Sequence, residues 1–195
     1  GKKVFICFHA NFELDRAPQP CHRDLSRRLI DIGASGVIFH HSHVVGFIET
    51  YKNRVICYGL GNWVASRGKF LGGELKYPEV CNQRIALEIN GNNDRNFIHH
   101  FIFKGNGEIS YEMSENVADK KCSVLAPFQN FSSTEYVKWY ENNRRKSLFL
   151  PIFVGKDSTK LNIIKKNWVF LRQALIKTAV KIRLKKPTPS DVTSA

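Results

Sequence analysis

Val37-Ile38-Phe39-His40-His41-Ser42-His43 is the stretch on which the reading of this chain turns. A short apolar run, typical of a buried strand, ends in three of the chain's seven histidines. A strand that ends in His-x-His delivers two imidazoles to one rim of a sheet, where a metal can sit over the carboxyl ends of strands. His40 is adjacent to His41 and should point to the opposite face, so His41 and His43 are the expected pair if the strand continues. His9 ends a second apolar run, Val4-Phe5-Ile6-Cys7-Phe8, and is expected at the same rim.

Between the two runs the pattern is helical. Pro18 and Pro20 open a helix through about Ile32, and Gly33 stops it. Cys21, Leu25, Leu29 and Ile32 recur at helical spacing, with Arg23, Asp24, Arg27 and Arg28 assigned to the outer face. Strand, helix, strand makes a βαβ unit with parallel strands. A further apolar strand at 54–58 is broken by Gly59-Leu60-Gly61-Asn62, whose glycines allow close approach of the backbone. Strands at about 84–90, 96–104 and 108–112, separated by Gly/Asn turns, predict a three-stranded antiparallel meander. His99 and His100 alternate faces within it and read as structural. Ser132-Ser133-Thr134-Glu135 is a capping box before a helix at about 133–147, and apolar residues from Leu161 to Ile182 predict a second helix at 159–184.

Composition sets bounds on these elements. The 195 residues are 43% hydrophobic and 24% charged, enough apolar material for a core in one domain with an appendage. Five cysteines, odd in number and never spaced as CxxC, exclude a zinc ribbon and argue against a disulfide framework. Cys7 and Cys57 are expected to be buried in strands. Gly1-Lys2-Lys3 runs straight into the first strand, so the natural start is expected upstream. No apolar run approaches membrane-spanning length. The net charge of +13 is concentrated: nine Lys/Arg and no Asp/Glu lie between Ser158 and Ser190. That basic face is either simply solvated or adapted to an anionic membrane surface; nucleic acid is disfavoured because no base-reading motif accompanies the charge.

The combined motifs carry a resemblance. His9-Ala10-Asn11-Phe12-Glu13, Leu29-Ile30-Asp31-Ile32-Gly33-Ala34-Ser35, Val37 to Val44, and Ile56-Cys57-Tyr58-Gly59-Leu60-Gly61-Asn62-Trp63 follow in order. This series resembles the CapA family of bacterial capsule and poly-γ-glutamate synthesis proteins. That family's motifs read roughly His-Trp-Gly-x-Glu, Val-Ile-Gly-x-His-Pro-His-Val and Ile-x-Tyr-Ser-Leu-Gly-Asn-Phe. Here Ala10-Asn11 replaces Trp-Gly, Phe39 replaces Gly, Ser42 replaces Pro and Gly59 replaces Ser.

The resemblance implies an α+β or α/β fold: part of a metallophosphatase-like β-sandwich flanked by helices, with C-terminal helices. It implies residues 1–126 as the C-terminal part of that domain; the sequence pattern adds 127–186 as a helical extension and 187–195 as a disordered tail. His9, His41 and His43 become metal ligands, with Glu13 and Asn62 lining the catalytic centre. The cofactor would be Mn, Fe or Zn, two ions in a complete domain, supplying a metal-bound hydroxide for hydrolysis of a phosphate ester or an envelope-polymer linkage. The family's upstream Gly-Asp, glutamate and Asn-Asn-His ligands are absent here. A non-catalytic assembly or membrane-anchoring module is therefore the alternative. Localisation is left open by the sequence, with the cell envelope or the cytoplasmic face of the membrane as what either role implies.

Overall fold

The structure, a computed structural model, describes residues 2–63, 69–70, 73–74, 77, 79–90, 95–104, 107–143, 167, 171, 174–175, 178–179 and 181–184. The chain divides into two compact units, Gly1–Asn142 and Asn143–Ala195.

In the first unit, β1 (Phe5–His9), α1 (Pro20–Asp31) and β2 (Gly36–His40) form the expected βαβ unit, with Phe5 to His9 paired in parallel to Gly36 to His40. β4 (Arg54–Cys57) adds in parallel to β2, and β3 (Ile48–Tyr51) pairs antiparallel with β4, giving the order β1-β2-β4-β3. β3 was not legible in the sequence, because four residues including Glu49 and Thr50 carry too little apolar alternation. Its hairpin turn, Lys52-Asn53, has both residues at positive φ (47° and 58°), the backbone of a two-residue type I′ turn. β5 (Lys69–Phe70) and β6 (Gly73–Glu74) make a small ladder. β7 (Gln83–Ile89), β8 (Asn96–Lys104) and β9 (Glu108–Asn116) form the expected antiparallel meander, with a register shift between His100 and Phe101. α2 (Ser133–Asn143) closes the unit. Its capping box is formed as expected: Glu135 accepts from the Ser132 backbone at 2.8 Å, and Ser132 Oγ accepts from the Glu135 backbone at 3.3 Å.

Two apolar clusters hold these elements. One joins Val37, Phe39 and Ile56 of the four-stranded sheet, and Tyr58 just after β4, to Ile30, Phe128, Tyr136 and Tyr140. The other joins Val45, Ile48, Val55 and Cys57 to Ile85 and Ile98 of the meander, with Val117 and Val124. Phe128 and Tyr136 are part of the first core, and the compact unit runs to Asn142.

Two expectations about burial are corrected. Cys7 is exposed, because β1 is an edge strand with Phe5, Cys7 and His9 on its open face; Cys57 is buried as expected. α1 buries Arg23, Ser26 and Ile30, whereas Leu25 is 41% and Ile32 82% exposed. The cause is Glu49. This β3 carboxylate is fully buried and accepts from Arg23 Nε at 3.3 Å and Nη2 at 3.1 Å, from Arg27 Nε at 2.9 Å and from the Tyr58 hydroxyl at 2.7 Å. A buried carboxylate needs cations, and it turns the arginine face of α1 inward.

In the second unit, Asn167, Leu171, Ala174, Leu175, Thr178, Ala179 and Lys181 are helical. The Leu184 N–H reaches back to the Ala179 carbonyl at 2.9 Å while Arg183 adopts φ 60°, a left-handed helix stop. The remainder of the expected helix at 159–184, and the tail at 187–195, lie outside the described residues. No helix among the described residues is long and apolar enough to cross a membrane.

Candidate functional site

Three loops at the carboxyl ends of β1, β2 and β4 build the site, and backbone hydrogen bonds tie them together. The Ala10 N–H donates to the His40 carbonyl at 3.3 Å and the Leu14 N–H to the Ser42 carbonyl at 2.7 Å. The Gly46 N–H donates to the Gly59 carbonyl at 2.9 Å, and Val45 bridges Leu60.

β2 does not continue beyond His40. His41 (φ 91°) and His43 (φ 60°) both lie in the left-handed region, so they do not share a strand face as expected. The chain coils at this point, and the coil sets the contacts. His41 Nδ1 comes to 3.1 Å from His9 Nε2, and the two rings lie 4.8 Å apart. His43 Nδ1 lies 3.2 Å from Asn62 Oδ1, and its ring is 6.1 Å from that of His41. An amide oxygen can only accept, so His43 donates through Nδ1–H, and this contact orients its ring. Glu13 is close enough to act electrostatically on both His41 and Tyr77.

Burial works against the charged form at two of these histidines, His41 and His40. Burial is the largest cause lowering the His41 pKa; neighbouring His9 and His43 lower it further, and Glu13 opposes them. His40 is lowered by burial and then by His9. Neutral imidazoles are the form that binds a transition metal.

The donor set fits one edge of a coordination sphere. Two imidazole nitrogens on a tetrahedral zinc, each at about 2.0–2.1 Å, stand roughly 3.3 Å apart. The His9–His41 separation is close to that value. The described residues contain no group of three or more His, Cys, Asp or Glu side chains gathered around one point, so they supply that edge and not a whole site. His43 stands beside the pair, held by Asn62.

Tyr77 was not foreseen. Its ring lies 5.0 Å from that of His43, and burial raises its hydroxyl pKa, helped by Glu13. It belongs to a segment with no periodicity, so nothing in the sequence pointed to it. His22 was also missed: its Nδ1 meets Asn11 Oδ1 at 2.9 Å, and burial lowers its pKa.

Strand-end loops, an adjacent histidine pair and an Asn-anchored third histidine lie in one contiguous span, and that span has known relatives. Residues 2–67 match the family model described as Bacterial capsule synthesis protein PGA_cap. The matched span contains His9, Glu13, His41, His43 and Asn62; Tyr77 lies outside it. The chain is similar to the Capsule biosynthesis protein CapA of Bacillus anthracis, 35% identical over 65 residues, which are 33% of this chain and 16% of that protein. It is 40% identical over 65 residues to the PGA biosynthesis protein CapA of Bacillus subtilis (strain 168), covering 33% of this chain and 17% of that protein. The match to the PGA_cap family thus spans about a sixth of the length of these relatives.

Proposed function

We propose that this chain serves capsule or poly-γ-glutamate biosynthesis, and that its strand-end histidines are part of a metal-dependent, phosphoesterase-like hydrolytic centre in a metallophosphatase-type sandwich. The observation that carries the reading is the His9–His41 contact at 3.1 Å inside the PGA_cap span. His9 and His41 would hold a divalent Mn, Fe or Zn ion, with His43 beside them and the remaining ligands coming from elsewhere. Such an ion supplies Lewis acidity toward a phosphoryl or carbonyl oxygen. This chain's own residues would do the positioning. Asn62 would orient His43 through Nδ1, and Glu13 would act electrostatically on His41 and Tyr77.

A second reading has one observation in its favour: the described residues gather only two donor nitrogens in contact. On that reading the chain is an assembly or anchoring module that keeps the fold without turnover.

Elemental analysis of the purified protein beside a His9→Ala/His41→Ala variant tests the proposal. Stoichiometric Mn, Fe or Zn that disappears in the variant, together with hydrolysis of bis(p-nitrophenyl) phosphate that disappears with it, is the expected result. Equal, background-level metal in both proteins after reconstitution refutes it.

A further inference from the structure

The outer face of the β7–β9 meander carries a second, independent arrangement of side chains. One face of this sheet, through Ile85 and Ile98, is core. The other should be uniformly polar in an antiparallel sheet with one solvated side. It is instead aromatic next to a hydrogen-bonded polar chain. Trp63, which directly follows Asn62 of the histidine site, anchors its Nε1 on the Ile85 carbonyl at 2.9 Å and packs 5.1 Å from Phe101. Phe101 in turn packs edge-on against Tyr111 at 5.8 Å.

The register shift makes the polar half. Tyr111 and Ser114 are three residues apart on β9 and would face opposite sides of a regular strand. The bulge changes the pairing between His100↔Met113 and Phe101↔Tyr111, so both side chains emerge on one face. Their hydroxyls meet at 2.9 Å. Ser114 Oγ lies 2.6 Å from His99 Nδ1, and His99 Nε2 lies 2.9 Å from Glu88 Oε2. Tyr111 is fixed through its ring and its hydroxyl, yet it stays 58% exposed. A preorganised exposed aromatic beside an ordered row of donors and acceptors has already lost the freedom that binding would otherwise remove.

We propose that this face is a binding subsite for an uncharged hexopyranose ring of a glycan. The C–H face of the sugar would lie on Tyr111, whose ring face is electron-rich. Its hydroxyls, each both donor and acceptor, would engage Glu88, His99 and Ser114, with the carboxylate as the strongest acceptor. Charge selects the ligand class. Among the described residues of this hydrogen-bonded row, the exposed charged group is a carboxylate: the Glu88 side chain is 53% exposed. The Arg84 guanidinium is turned inward, donating to the Asn62 and Asn82 carbonyls and lying over Phe103. A polyanion such as poly-γ-glutamate meets repulsion there, and a neutral sugar does not. The subsite goes beyond the hydrolytic reading and needs no metal.

The test is an NMR titration of the full chain, in the presence of EDTA, with cellohexaose, laminarihexaose and chitohexaose, and with poly-γ-glutamate as the acidic comparator. At least one neutral hexasaccharide should give saturable shifts of the Tyr111, His99 and Trp63 signals. Tyr111→Ala should weaken that binding on the order of tenfold. Glu88→Gln, an exposed substitution that does not endanger folding, should weaken it severalfold, and Tyr111→Phe should retain most of it. No saturable shift with any of the three glycans overturns the proposal, as does affinity unchanged in Glu88→Gln and Tyr111→Ala. Tighter binding of poly-γ-glutamate at the same signals, or shifts that follow protein concentration because a second copy covers the face, overturns it equally.

Discussion

Replacing Glu49 by Gln should be among the most damaging conservative substitutions available in this chain. Its carboxylate has no exposed surface, and neither has the side chain of its partner Arg23. Arg27, 19% exposed, and the Tyr58 hydroxyl complete the cluster. Arg23 also donates to the carbonyls of Phe128 and Phe131, so one network ties α1, β3, β4 and the segment before α2 together. An amide keeps the shape and removes the charge, leaving the Arg23 guanidinium buried without a counter-ion. Breaking a buried pair from one side costs about 3–5 kcal/mol. With a urea m-value of about 2 kcal/mol/M, the unfolding midpoint should fall by roughly 1.5–2.5 M. Urea denaturation followed by tryptophan fluorescence measures this directly. Lys52→Ala removes the exposed partner of Asp31 and should leave the midpoint within error. Arg23→Met/Glu49→Met, which removes both buried charges, should recover part of the loss. A midpoint shift in Glu49→Gln no larger than that in Lys52→Ala would refute the view that an inward-facing ion cluster orients α1.

Asn11 holds φ 97° and anchors three partners, so Asn11→Ala should lower the urea midpoint while Asn11→Gly costs clearly less; equal costs would show that the backbone angle is unimportant. Burial raises the Glu115 pKa, but hydrogen bonds from Ser123 and from His100 outweigh it and hold the carboxyl below its ordinary value. Its stabilising contribution is therefore present above the unfolded pKa of about 4.3 and lost as pH falls through the lower folded value. Glu115→Gln should flatten the acid limb of the stability–pH curve below about pH 4.3, which thermal melts across pH 3–6 would detect. In the second unit, Leu171, Leu175 and Ile182 are exposed on one helical stripe within the segment that carries nine Lys/Arg and no acid. The protein should sediment with phosphatidylserine vesicles and not with phosphatidylcholine vesicles, and Leu171→Ser/Leu175→Ser should abolish this.

How much of this was legible depended on whether a pattern or a partner decided the outcome. The βαβ unit, the meander and the capping box follow from periodicity and turn residues, which are local properties, and they stand where the sequence put them. The inward face of α1 does not follow from periodicity. It depends on Glu49, which is 26 residues from Arg23 and lies on a strand too short to be seen. The exposure of Cys7 depends on the strand order, which places β1 at an edge. At the site, His9, His41 and His43 were singled out by their positions after apolar strands and Asn62 by the family resemblance, and the structure brings the four into two touching pairs. The means was misread: positive-φ coiling after His40, not strand alternation, produces the contacts. Tyr77 and the Tyr111–Ser114–His99–Glu88 row were invisible, because a loop excursion and a one-residue bulge place them.

The same structure explains why this chain departs from the motifs it resembles. Asn11 stands where the family pattern has Gly, at a backbone angle that glycine adopts freely, and asparagine is among the few residues that tolerate it. Its side chain uses the position, with Oδ1 accepting from the Gln19 N–H at 3.4 Å and Nδ2 donating to the Tyr58 carbonyl at 3.4 Å. Phe39, also in place of Gly, does not stand over the histidines: it is 1% exposed and packs among Phe8, His22 and Tyr58. Gly59, in place of Ser, is required by the backbone around it. A Cβ there would come within 2.7 Å of the Val44 carbonyl and of Ser42 Oγ and 3.0 Å of the Gly46 nitrogen. Three departures that look like decay in the sequence are thus absorbed by the scaffold, and the loops that carry His9, His41 and His43 keep their hydrogen-bonded frame. Phe39 thus gives no steric ground for the non-catalytic reading, which rests on the number of donor groups gathered among the described residues.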